Sequence, residues 1–220
     1  MTRVKICGIM EIDHALAAAQ TGADYLGLVF AASRRRILPV KALEIIRAVR
    51  RLERPPQMVG VFVNSPAADV NYIAENCKLD VVQLSGDESW DYCRDIKKPV
   101  FKAIHITPGS TVETVVETIK NGYQALGTDK LTCLLDTHSQ SAYGGTGLAF
   151  SPQIAIGAAA QYPVLIAGGL TPETVGDLVR EANPWGVDVS SGVETDGKKD
   201  IRKIRYFIQT VKESESGFKI

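Results

Sequence analysis

Two side chains in this sequence have the type and placement to exchange protons with a bound molecule. Cys7 ends the β-branched segment Val4-Lys5-Ile6-Cys7-Gly8, and Asp136 ends the apolar run Leu134-Leu135-Asp136-Thr137. Side chains alternate across a strand, so Lys5 and Cys7 share a face. A cation beside a thiol lowers its pKa from the free value of about 8.5 and increases the thiolate, the form that takes a proton or attacks carbon. A carboxyl group at a half-buried strand end behaves in the opposite sense: loss of water raises its pKa, leaving it protonated and able to act as a general acid. Each residue also has a plainer reading, Cys7 as a small buried hydrophobe and Asp136 as a cap or loop anchor.

Two further segments have the composition of an oxyanion cradle. In Ala167-Gly168-Gly169-Leu170 and Ser190-Ser191-Gly192, glycine lets backbone N–H groups approach a phosphate, serine adds hydroxyl donors, and a helix N-terminus adds partial positive charge. Tyr143-Gly144-Gly145-Thr146-Gly147 suits a loop that closes over a ligand. The run Ser33-Arg34-Arg35-Arg36 offers a guanidinium that can grip a carboxylate with two parallel hydrogen bonds. His14, His105 and His138 lack metal-ligand spacing, and Cys7, Cys77, Cys93 and Cys133 form no CxxC pair, so neither a bound metal nor a redox pair is expected.

These residues need a scaffold, and its rhythm is visible along the chain. Eight short β-branched runs end in turn residues and are followed by helical periodicity: 4–8, 25–30, 58–63, 81–86, 100–106, 132–137, 164–169 and 186–192. Apolar side chains at helical spacing appear as Ile12, Ala15, Leu16, Ala19, and again as Val175, Leu178, Val179, Ala182. Ser65-Pro66 and Thr171-Pro172 read as helix caps followed by proline at the first helical position. Eight β-then-α units without a linker predict a single (β/α)8 TIM barrel over residues 1–220 with short loops, rather than an open doubly wound sheet. In such a barrel the site lies just beyond the strand C-termini, and the loops after the last two strands take phosphate. Strand 8 adjoins strand 1, which predicts that Asp188 pairs with Lys5.

Composition narrows the partners. Twenty-five Lys plus Arg balance twenty-five Asp plus Glu, giving a formal net charge of zero. That lacks the field of a nucleic-acid or acidic-membrane binder and leaves a small molecule as the expected partner. The cysteine pattern and the absence of an apolar leader or a spanning segment predict a soluble cytoplasmic protein with reduced thiols.

Read in order, the strand-end segments Lys5-Ile6-Cys7-Gly8-Ile9, Gly60-Val61-Phe62-Val63-Asn64, Val82-Gln83-Leu84, Leu134-Leu135-Asp136-Thr137, Tyr143–Gly147, Ala167–Glu173 and Val187–Glu194 resemble the phosphoribosylanthranilate isomerase family of tryptophan biosynthesis. The trailing Gly197-Lys198-Lys199-Asp200 fits the same pattern. The resemblance implies a TIM barrel that carries out an Amadori rearrangement of N-(5'-phosphoribosyl)anthranilate to the aminodeoxyribulose phosphate, without a cofactor or metal. It implies that Asp136 is the general acid that opens the ribose ring and that Cys7 is the base that removes the C2' proton. It places Arg35 on the anthranilate carboxylate and Gly168, Gly169, Ser190, Ser191 and Gly192 at the phosphate. The implied partner is this phosphorylated sugar-anthranilate, with no nucleic acid or membrane, in a monomer or homodimer. The chain departs from the family where Met10 replaces Thr, Ser85 replaces His and Arg34 replaces Pro. Other sugar-phosphate barrels fit less well: an indole-glycerol-phosphate synthase needs a different lysine and glutamate set, and a ribulose-phosphate epimerase needs metal-binding histidines. A noncatalytic phosphate-binding barrel would have no use for Cys7 and Asp136.

Overall fold

Strand and helix alternate from end to end of the chain, and the strands close on themselves. A computed structural model describes residues 1–137 and 151–216. The strands are β1 (Arg3–Cys7), β2 (Tyr25–Val29), β3 (Gln57–Phe62), β4 (Val81–Leu84), β5 (Val100–Ile106), β6 (Leu131–Thr137), β7 (Val164–Ile166) and β8 (Gly186–Val189). All pair in parallel in sequence order, and β1 pairs with β8 to complete a closed barrel. Helices α1 (Ile12–Thr21), α2 (Pro39–Val49), α3 (Ala67–Asn76), α4 (Trp90–Arg94), α5 (Val112–Leu126), α6 (Pro152–Ala159), α7 (Val175–Ala182) and α8 (Ile201–Ser216) follow the strands in turn. This is the (β/α)8 barrel that the spacing predicts.

Both faces of the strands are covered, as parallel strands require. One set of alternating residues, including Ile6, Leu26, Leu28, Met58, Leu135 and Ile166, is buried against the helices. The other set fills the barrel interior: Tyr25, Val59, Val81, Phe101, Ala103, Leu134 and Leu165. A fully buried side chain such as Leu134 contributes about 1.5–3 kcal/mol relative to exposure. The N-terminal end is plugged by aromatic rings, with Tyr25 edge-on to Phe101 at 5.1 Å and the Arg3 guanidinium 4.3 Å above Trp185. The ionisable interior side chains Lys5, Asp188 and Asp136 therefore sit above a closed floor.

Local signals set the element ends. Thr111 and Thr114 cap α5 reciprocally, the Thr111 hydroxyl accepting from the Thr114 N–H at 3.3 Å and the Thr114 hydroxyl from the Thr111 N–H at 3.0 Å. α1 stops at Gly22, whose φ of 99° is left-handed. Two expected caps differ. Pro66 itself holds the extended N-cap position of α3, so Ser65 lies outside the helix. The Thr171 carbonyl accepts from the Thr174 and Val175 N–H groups, forming a turn that delays α7 to Val175. Beyond β8 the chain adds elements that strand periodicity does not predict: a 3-10 turn at Ser191–Val193 and a hairpin of β9 (Glu194–Thr195) and β10 (Lys198–Lys199). No described helix is long and apolar enough to cross a membrane.

Candidate active site

Parallel closure brings the first and last strands side by side, with Lys5 in register with Asp188. The predicted pair forms: Lys5 Nζ donates to Asp188 Oδ1 at 2.9 Å, and the Lys5 side chain is wholly buried. Burial alone would lower the Lys5 pKa, but Asp188 and the nearby Cys7 outweigh it and hold the ammonium above the usual lysine value. The Lys5 charge is therefore permanent at physiological pH.

Cys7 sits one step nearer the mouth on the same face and is 8% exposed. Gly27 on β2 leaves it room: a methyl group there would stand 2.8 Å from Cys7 Sγ and 3.1 Å from Lys5 Nζ. Here the structure corrects a sequence expectation. Burial raises the Cys7 pKa and outweighs the lowering by Lys5, while Asp188 raises it further. The resting group is a thiol, because the same closure that delivers the cation also removes the water. Asp136, next to the last residue of β6, is in register with His105 and is half-buried.

Cys7 and Asp136 line one cavity of about 290 Å³ at the C-terminal mouth. Arg35, Gln83 and Ser85 line it as well, and Gly168, Gly169, Ser190, Ser191 and Gly192 form part of its wall. All eight residues that the sequence nominates thus share one pocket, and of the three consecutive arginines Arg35 is the one that reaches it. Tyr143–Gly147 and His138 lie outside the described residues. Among the described residues, no cluster of three His, Cys, Asp or Glu side chains is placed to hold a metal ion.

The glycines of the wall are required by geometry. Gly168 and Gly169 take φ values of 88° and 81°, a left-handed pair that other residues adopt at a cost. A Cβ on Gly192 would lie 1.9 Å from the Leu170 carbonyl oxygen, so the loops after β7 and β8 interlock through bare backbone. The Ser190 hydroxyl donates to the Cys7 carbonyl at 3.2 Å, which ties this wall to the thiol strand. Gln83 Nε2 donates to Ser85 Oγ at 3.0 Å, whereas buried Gln83 Oε1 has no hydrogen-bond partner among the described residues. A buried acceptor left in this state favours a ligand donor such as a sugar hydroxyl.

Sequence reasoning missed a charged cluster behind Arg35. Glu194 accepts from Arg35 Nε at 2.6 Å and Nη2 at 2.9 Å, from Arg34 Nη2 at 2.6 Å and from Lys199 Nζ at 2.7 Å. Burial would raise the Glu194 pKa, but hydrogen bonds from Arg35 and Lys199 pull it down to about 2. Lys199 also donates to the Ser190 carbonyl at 2.8 Å. The readable signal was Asp196-Gly197, a two-residue hairpin turn of the kind that takes positive φ twice; the observed values are 50° and 76°.

Comparison with known proteins agrees with this architecture. Residues 4–210 match the family model described as N-(5'phosphoribosyl)anthranilate (PRA) isomerase. An N-(5'-phosphoribosyl)anthranilate isomerase of Dehalococcoides mccartyi is 50% identical over 215 residues, covering 98% of each chain. The crystal structure of phosphoribosyl anthranilate isomerase from Thermotoga maritima superposes with a TM-score of 0.81 at 35% identity, covering 97% of this chain and 100% of that one. A phosphoribosyl anthranilate isomerase in complex with reduced 1-(o-carboxyphenylamino)-1-deoxyribulose 5-phosphate superposes with a TM-score of 0.80 at 33% identity, over 97% and 100% of the two chains. The chain belongs to the N-(5'-phosphoribosyl)anthranilate isomerase family.

Proposed function

We propose that this isomerase converts N-(5'-phosphoribosyl)anthranilate to 1-(2-carboxyphenylamino)-1-deoxyribulose 5-phosphate with Asp136 as general acid and Cys7 as base. The observation that carries the assignment is that the two groups line one cavity from strands β1 and β6, which β7 and β8 separate, with residues of the loops after β7 and β8 in its wall. Asp136 donates its proton to the ribose ring oxygen as the C1'–O bond breaks, and the anilino nitrogen lone pair forms the iminium. Cys7, as thiolate, then removes the C2' proton, and the electron pair of that C–H bond neutralises the iminium to give an enolamine. Tautomerisation to the ketone completes the isomerisation. The resting Cys7 thiol releases its proton to solvent as the iminium forms; in the tautomerisation the Cys7 thiol protonates C1' and the Asp136 carboxylate takes the 2'-hydroxyl proton, and the thiolate regains its proton from solvent as product leaves, so the cycle closes without a cofactor.

The raised thiol pKa fits this order of events. A positive iminium arriving close to the sulfur favours the thiolate, as an opposite charge within about 4–6 Å does. Lys5, fixed by Asp188, supplies a standing counter-charge. Gly168, Gly169, Ser190, Ser191 and Gly192 would hold the phosphate through backbone N–H groups and hydroxyls, and Arg35 would face the anthranilate carboxylate.

The test is consumption of freshly generated phosphoribosylanthranilate by the purified protein, followed by loss of its fluorescence. Cys7→Ala and Asp136→Asn should each lower kcat by about 10²–10⁴-fold while leaving affinity for inorganic phosphate unchanged. Turnover near that of the parent in either variant would remove that residue from the mechanism.

A further inference from the structure

A guanidinium has two edges that can grip a carboxylate in parallel: one formed by Nε and one terminal nitrogen, the other by the two terminal nitrogens. Glu194 occupies the first edge of Arg35, through Nε and Nη2. Arg35 Nη1 makes no hydrogen bond among the described residues, so the end-on edge is left for a second carboxylate. The aliphatic stem packs over Gly8, whose φ is 78°: a Cβ there would stand 2.4 Å from Arg35 Cδ. The Glu194 carboxylate is 5% exposed and is itself held from a second side by Lys199, which is 3% exposed. Lys199 donates in turn to the Ser190 carbonyl in the oxyanion wall. An unbroken chain of short polar contacts thus runs from the Arg35 guanidinium through Glu194 and Lys199 to the Ser190 loop.

We infer that Glu194 is a positioning residue that presents the free edge of Arg35 at a fixed distance from the Ser190 loop, so that the site selects ligands carrying a carboxylate at one end and a phosphate at the other. The inference rests on the reading of Arg35 as the carboxylate contact, and it extends that reading to a residue on the hairpin outside the cavity lining. Two features argue against a purely structural bridge. Glu194 receives three cations where one would neutralise it, so loss of Arg35 to a ligand carboxylate would not leave it bare. Its bond to Arg35 also uses the edge that points away from a competing end-on ligand, so both carboxylates can bind together.

The experiment measures binding of reduced 1-(o-carboxyphenylamino)-1-deoxyribulose 5-phosphate and of the same compound without the carboxylate, by titration calorimetry. It uses the parent protein, Glu194→Gln, Glu194→Asp, Arg35→Ala and the double variant Arg35→Ala/Glu194→Gln. The parent should prefer the carboxylated ligand. Glu194→Gln should lose about 10- to 100-fold of that preference, the order expected for hydrogen bonds to charged groups. In turnover, KM should rise with kcat nearly intact, and inhibition by inorganic phosphate should hold. Glu194→Asp, which keeps the charge, should recover part of the preference. The double variant should be no worse than Arg35→Ala, because Glu194 acts through Arg35. Loss of preference in Arg35→Ala but full retention in both Glu194 variants would overturn the positioning role and leave the Arg35 contact standing. Full preference in Arg35→Ala would overturn the Arg35 contact, and the positioning role with it. Equal losses for the carboxylated and the carboxylate-free ligand in the Glu194 variants would mark a structural bridge and overturn the inference.

Discussion

Replacing Lys5 by Met tests the electrostatics of the barrel interior most directly. The substitution keeps chain length and apolar volume but deletes the cation 2.9 Å from Asp188, at a side chain with no exposed surface. Removing one partner of a buried pair leaves an uncompensated charge and costs about 3–5 kcal/mol. In a chain of 220 residues, where 1 kcal/mol moves Tm by about 2–4 °C, that is a fall of roughly 6–20 °C. The parent's own stabilisation from Lys5, whose pKa is raised, is fully present below the ordinary lysine value and is lost only as pH rises through the raised one, so a fall of this size should be seen at pH 7.

Activity supplies a second readout for the same variant. If Cys7 acts as thiolate, kcat/KM rises with pH through the thiol pKa, and losing Lys5 moves that limb upward. Differential scanning calorimetry at pH 7 and a pH–rate profile check both parts. Lys5→Met/Asp188→Leu should regain much of the stability without regaining the rate. A Tm within about 2 °C of the parent, or an unmoved limb, would refute the reasoning.

Two glycine variants probe the walls. Gly27→Ala puts a methyl group 2.8 Å from Cys7 Sγ and 3.1 Å from the Cys7 Cα; kcat should fall at least about tenfold with phosphate inhibition unchanged, and a kcat within about twofold of the parent would contradict the assigned sulfur position. Gly192→Ala meets the Leu170 carbonyl oxygen at 1.9 Å, a backbone contact with no rotamer escape. It should cost about 1–3 kcal/mol or more, roughly 2–12 °C in Tm, and weaken inorganic phosphate binding; an unaltered melt and inhibition constant would show that the two loops do not interlock.

The strands, and with them Cys7, Asp136 and the glycine loops, were legible because barrel strands are short, β-branched and end where the site begins. Alternation of side chains, together with adjacency of strands 1 and 8, was enough to foresee Lys5 opposite Asp188. The direction of the Cys7 pKa was not legible, since it depends on how much water remains around the sulfur, which no residue pattern encodes. Ser65 and Thr171 misled because proline admits more than one start: Pro66 takes the cap position itself, and Pro172 sits in a turn ahead of α7. Glu194 and Lys199 lie on strands of two residues each, too short for any periodicity, and their partners Arg34 and Arg35 are 160 and 159 residues away in the chain.

The seam where β1 meets β8 has a consequence for biosynthesis. Cys7 is translated well before the groups that surround it, Asp188, Ser190 and Lys199, and Ser190 follows it by 183 residues. A ribosome-bound chain that stops short of Gly186 carries the sulfur and Lys5 without the neighbours that define their charge. Chemical competence therefore arrives in one late step, when the ring shuts, and partial chains do not possess a diluted form of it.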